Sequence, residues 1–103
     1  MKRLAGLCLL LLAGTAHAQP TDLKSRLSVM PDDVRSWAWR QAGCNHWREE
    51  MPGDSERARR IKEAMNDLRC YDLSRDSEML RRRYVNRANI LDLLANANEL
   101  KAD

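Results

Sequence analysis

The stretch "GCNHWREEMPGDSER", Gly43 to Arg57, decides how this chain can fold. Cys44, His46, Trp47, Glu49 and Glu50 crowd into seven residues, and Pro52 to Asp54 then break whatever element precedes them. Asp54 or Ser55 can cap a following helix, because a short oxygen-bearing side chain accepts one of the orphan N–H groups of a first turn. The spacing predicts that helix over about 55–69, with Ala58, Ile61, Ala64, Met65 and Leu68 as a buried stripe among charged faces. Cys70 follows its far end.

Cysteine usage makes that arrangement a constraint. The opening "MKRLAGLCLLLLAGTAHAQP" reads as a secretory signal: Lys2 and Arg3, an apolar run over 4–13, and Ala16-His17-Ala18 as the cleavage site. The apolar run is shorter than the roughly 20 residues a membrane span needs. Cleavage after Ala18 would remove Cys8, and an oxidising compartment would then join the remaining pair, Cys44 and Cys70. A helix of about 15 residues is about 22 Å long, yet the two Cα atoms must come within about 7 Å. The linker over 49–54, reaching at most about 20 Å, is therefore expected to run extended, as a strap along the second helix.

Outward from the strap, the pattern stays helical. Val34, Trp37, Ala38, Gln41 and Cys44 recur at helical spacing, which predicts a first helix from about Pro31 to between Ala42 and Arg48, with Gly43 as a C-cap. Asp32 and Asp33 suit its positive end. A third helix is expected from near Ser74, carrying Met79, Leu80 and Tyr84. After a break at "VNRAN" a fourth presents Ile90, Leu91, Leu94 and Ala97. Residues 19–30 read as a short helix or a mobile arm. The fold class is all-α: a small three- to four-helix domain over 31–103, stapled by one disulfide that closes its loop for about 3 kcal/mol. A thin core makes that a large share of the stability.

Charge excludes some functions. The chain has 18 basic residues, and loss of Lys2 and Arg3 leaves 16 against 15 acidic ones, a net charge near +1 and no case for nucleic acid. Arg81-Arg82-Arg83 has Asp72, Asp76 and Glu78 nearby, which makes a mixed-charge face. His46 with Glu49 or Glu50 has ligand spacing, but a closed zinc site needs four ligands and the disulfide removes both thiols. No metal or other cofactor is expected. The serines read as caps or surface residues, and no nucleophile, base and orienting group converge, so no catalytic residue is assigned and an enzyme is not expected. Trp47 is expected to cover the disulfide, with His46 as a hydrogen-bond donor and Arg48 and Glu50 pairing with or capping the second helix. Trp39 lies opposite Trp37, across Ala42 and Gly43 from His46, and that surface either docks a partner or is packed by the arm or the fourth helix. His46, Trp47, Arg48, Glu50 and Trp39 thus form a structural clamp or a binding site.

The run "VRSWAWRQAGCNHWREEMPGDSER" resembles a family of small exported bacterial proteins of unassigned function. The matching residues are Cys44, His46, Trp47, Arg48, Glu50, Pro52, Asp54, Arg57 and Cys70. Asn45 stands where that pattern has an aspartate, Glu49 where it has a glycine and Met51 where it has a second glutamate. The resemblance implies export and the disulfide but carries no activity. Cys70, Leu73, Asp76, Leu80 and Tyr84 are also similar to the LprI-like family, some of whose members inhibit lysozyme, with the first gap one residue short. The expectation is a periplasmic or secreted binding protein without a membrane span after cleavage. It would meet an envelope protein partner, as an inhibitor or immunity-type module or as an accessory subunit.

Overall fold

The computed structural model describes residues 22–50 and 52–102; the expected signal sequence lies outside them. Five α-helices follow one another: α1 Leu23–Leu27, α2 Asp32–Glu49, α3 Ser55–Asp67, α4 Leu73–Arg83 and α5 Ala88–Ala95. Short 3-10 turns, Cys70–Asp72 and Ala97–Glu99, precede α4 and follow α5. Among the described residues there is no strand, so the all-α expectation holds. No described helix is long and apolar enough to cross a membrane.

The fifth helix comes from the segment before Pro31. Asp22 caps α1 by accepting from the Ser25 N–H at 3.2 Å, and Leu23 and Leu27 are buried in the same core as the rest of the chain. That segment is a short helix because its two leucines, one turn apart, find an apolar wall. The wall belongs to α2, the central helix, which buries Val34, Trp37, Ala38, Gln41, Ala42, Cys44 and Asn45. These residues spread round much of the helix surface, because α1, α3, α4 and the Ala97–Glu99 turn all pack on α2. Leu73 and Leu80 of α4, Ile90, Leu93 and Leu94 of α5, and Leu100 complete the core. Of the residues that α4 carries, Leu80 is buried and Met79 is exposed, while Leu93 and Leu100 are buried without having been expected.

Polar contacts fix how the helices meet. Trp37 donates its indole N–H to the Leu73 carbonyl at 3.0 Å, tying α2 to the start of α4. Asp33 in the first turn of α2 accepts from the Tyr84 hydroxyl at 2.8 Å and pairs with Arg83, so it locks the far end of α4. Burial pushes the Asp33 carboxyl up, but the hydrogen bonds from Tyr84, Arg83 and the Val34 N–H outweigh it and hold the group below its ordinary range. The same bond to Asp33 holds the Tyr84 hydroxyl above its ordinary value. Two of the three consecutive arginines are ion-paired, Arg81 with Glu78 and Arg83 with Asp33.

Three expectations need correction. The first helix does not end at Gly43; it runs to Glu49, and Gly43 lies inside it. A Cβ at Gly43 would fall 2.9 Å from Leu68 Cδ1, so the glycine serves close helix approach and not a cap. Consequently Cys44 to Glu49 is helical, which takes one residue from the linker expected over 49–54 and leaves Glu50 and Pro52 to Asp54 as its described part. It turns at Gly53, whose φ of +66° is the left-handed conformation that suits glycine. The third correction concerns the stripe of α3. No residue in Ser55–Asp67 is buried; Ala58 is exposed, and Ile61, Ala64 and Met65 are only half-buried. Only Leu68, just past the helix, packs on the core.

Candidate functional site

The Cys44–Cys70 bond joins the late part of α2 to the end of the α3 segment, with Cα atoms 5.8 Å apart. Cys44 is fully buried and Cys70 half-buried. Beside the bond, α3 must stop and the chain must turn into α4. Arg69 takes the left-handed conformation with φ 54°, a position usually given to glycine after a helix and unfavourable for a side chain by about 1–2 kcal/mol. Arg40 offsets this strain. Its Nε donates to the Leu68 carbonyl at 2.8 Å, its Nη2 to the Arg69 carbonyl at 3.0 Å and its Nη1 to Asp76 at 2.9 Å. A cation at the negative end of α3 also complements the helix dipole. Sequence reasoning missed Arg40, because a lone arginine on a helix announces no partner 28 residues away.

The other end of α3 is tied by shorter links. Asp54 caps it, accepting from the Arg57 N–H at 2.8 Å, as the sequence suggested. Glu50 pairs with Arg57 across the linker. The linker therefore does lie along α3: Glu50 and Pro52 share a groove of about 350 Å³ with Trp47, Ala58, Ile61 and Met65.

This placement divides the expected clamp. Trp47 is half-buried in that groove and faces α3 residues, so it is a wall of the groove and not a buried cover. Tyr71 lines the same groove and is 80% exposed. His46 packs edge-on against Trp47, ring centroids 5.1 Å apart at 77°. Its Nε2 is 3.8 Å from Glu50, too far for the hydrogen bond expected of it. Arg48 turns back along its own helix to Asn45 Oδ1 at 3.2 Å. Trp39, 38% exposed, shares a helix face with His46. Between them Ala42 is buried beside Leu100, and Leu68 stands over Gly43. The C-terminal segment and Leu68 thus lie against the surface between Trp39 and His46.

Asn45 carries more than its place in the motif suggested. Its amide N–H groups donate to the carbonyls of Ala97 at 2.9 Å and Leu100 at 3.1 Å, while its oxygen accepts from Gln41 and Arg48. Both ends of the amide are used, and they fasten the C-terminal turn to α2. Among the described residues no group of three or more His, Cys, Asp or Glu side chains could hold a metal ion. What the arrangement offers chemically is an apolar groove with charged rims, held open on a disulfide-tied hairpin. Comparison of the chain with protein-family models, with curated proteins and with solved structures found no match.

Proposed function

We propose that this is an exported binding protein of the cell envelope that acts by contact with another protein and not by catalysis. The observation that supports it is the apolar groove along α3, where Ile61 and Met65, only partly covered, lie beside Trp47, Pro52 and the exposed Tyr71. An amphipathic helix gains stability by burying its apolar stripe, and this one has no fully buried residue, its Ile61, Ala64 and Met65 being only partly covered. Large apolar side chains gathered on one exposed surface are the usual mark of a recognition surface. Trp47 of α2 and Ile61 and Met65 of α3 present most of this surface, with Pro52 of the linker and Tyr71 of the 3-10 turn beside them, and a surface built mainly on helices favours an accessory subunit over an inhibitor. The five residues shared with LprI-like proteins are engaged internally: Cys70 is bonded to Cys44, Leu73 and Leu80 are buried, Asp76 binds Arg40 and Tyr84 binds Asp33.

A photo-crosslinking residue in place of Met65, in cells that export the protein, should give one discrete adduct. The same residue in place of Arg82, on the solvent side of α4, should give none. Equal labelling at both positions, or none at Met65, would refute the reading. Intact mass of the exported form should show loss of Met1 to Ala18. Inhibition of lysozyme by the purified protein would favour the inhibitor instead.

A further inference from the structure

A second concavity lies where α2, α4 and α5 converge. It measures about 280 Å³, near the lower bound for a small-molecule site, and Leu94 and Trp37 form its apolar part. Its polar lining is unusual. Ser77 is 6% exposed, and among the described residues its hydroxyl has no hydrogen-bond partner. Gln41, 7% exposed, spends its amide N–H on Asn45 at 2.9 Å, while its carbonyl oxygen has no donor among the described residues. A buried polar group without a partner is destabilising by about 1–3 kcal/mol, so two lining one cleft call for an occupant.

Charge says what kind. Arg48 and Arg81 both line the cleft. Arg81 is paired with Glu78, but Arg48 has no carboxylate partner among the described residues and holds only the Asn45 amide oxygen. Among the described residues the cleft thus carries one cation, Arg48, without a carboxylate partner, above a buried hydroxyl and an apolar wall. A guanidinium presents a planar fork that matches a carboxylate.

We infer that this cleft binds a small organic carboxylate: its charged end meets Arg48 and Arg81, its polar atoms meet Ser77 and Gln41, and a short apolar body lies on Leu94 and Trp37. The carboxylate can belong to a free acid or to the C-terminus of a peptide. The inference is independent of the α3 groove, with which the cleft shares only Arg48.

Titration of the oxidised, isotope-labelled protein with isovalerate, followed by amide NMR, tests it. Saturable shifts are expected at the Ser77 backbone amide and the Gln41 side-chain amide. Isovaleramide, the neutral isostere, should bind at least tenfold more weakly. Ser77→Ala should weaken isovalerate at least fivefold and Arg48→Gln at least tenfold. Arg81→Gln provides the charge test if Arg48→Gln fails to fold. A tripeptide ending in leucine with a free C-terminus separates the sources: tighter binding than isovalerate points to peptide ends, weaker binding to free acids. Absence of saturation by both ligands, equal binding of the amide, or unchanged affinity in the variants would overturn the assignment.

Discussion

Two helices of this chain, α2 and α3, both place apolar residues at helical spacing, and they meet opposite fates. α2 buries Val34, Trp37, Ala38, Ala42 and Cys44 together with the polar Gln41 and Asn45, whereas α3 has no fully buried residue between Ser55 and Asp67 and only partly covers Ile61, Ala64 and Met65. The core closes over α1, α2, α4, α5 and Leu100 without a contribution from α3. α3 is held instead by its ends: the Asp54 cap and the Glu50–Arg57 pair at the start, Leu68, Arg40 and the disulfide at the finish. Periodicity tells which side of a helix is apolar; it does not tell whether anything will cover that side. A helix fastened at its ends and open on its face is suited to present a surface.

The contrast can be broken most readily at its strong end. Trp37→Ala removes a nearly fully buried side chain and the bond to Leu73, and is expected to lower stability by about 3–5 kcal/mol in a denaturant melt. A loss under about 1 kcal/mol would mean that α2 is not the centre of the core.

Reduction of the disulfide comes next, at about 3 kcal/mol from loop entropy. Its effect should be uneven. Hydrogen exchange of the reduced protein should rise first across Ser55–Asp67, while amides of α2, α4 and α5 keep their protection relative to α3. Uniform loss of protection would show that α3 and the core unfold as one unit.

Asn45→Asp sharpens the account of the motif, since an aspartate occupies this position in the pattern the chain resembles. Here a carboxylate would face the Ala97 and Leu100 carbonyls with no proton to donate. A loss of about 2 kcal/mol is expected, read from the same melt, with faster exchange in the C-terminal turn. An unchanged melt would mean that those two bonds contribute nothing.

Asp33 gives a smaller, pH-dependent effect. Its folded-state pKa lies below the unfolded value, so the stability it contributes is present above the unfolded pKa, near 4, and is lost as pH falls through the folded pKa. Asp33→Asn should therefore flatten the decline in stability below about pH 4 while lowering stability at pH 7. Parallel curves for the two proteins would exclude a linkage through this carboxyl.

The smallest effect belongs to the open face. Ile61→Ala and Met65→Ala should each change stability by less than about 1 kcal/mol, because neither side chain is fully buried. Losses comparable to Trp37→Ala would place α3 inside the core and remove the basis for a recognition surface.

Several features were legible in the residues. The amphipathic runs, the cap at Asp54 and the lack of strand alternation point to an all-α chain without knowledge of neighbours, because each depends on local geometry. With Cys8 placed in the expected signal sequence, Cys70 is the partner left for Cys44. Where the reading went wrong, the missing information was non-local. Gly43 looked like a helix end until Leu68 was seen to need its space. The α3 stripe looked buried because pattern registers polarity and not coverage. Arg40, which joins Leu68, Arg69 and Asp76, and Asn45, which reaches Ala97 and Leu100, depend on segments distant in the chain. Ser77 and Gln41 read as unremarkable polar residues on helices. Only the convergence of α2, α4 and α5 buries them together and leaves the Ser77 hydroxyl and the Gln41 carbonyl oxygen without partners among the described residues, because burial and hydrogen bonding belong to the assembled surface and not to any single segment.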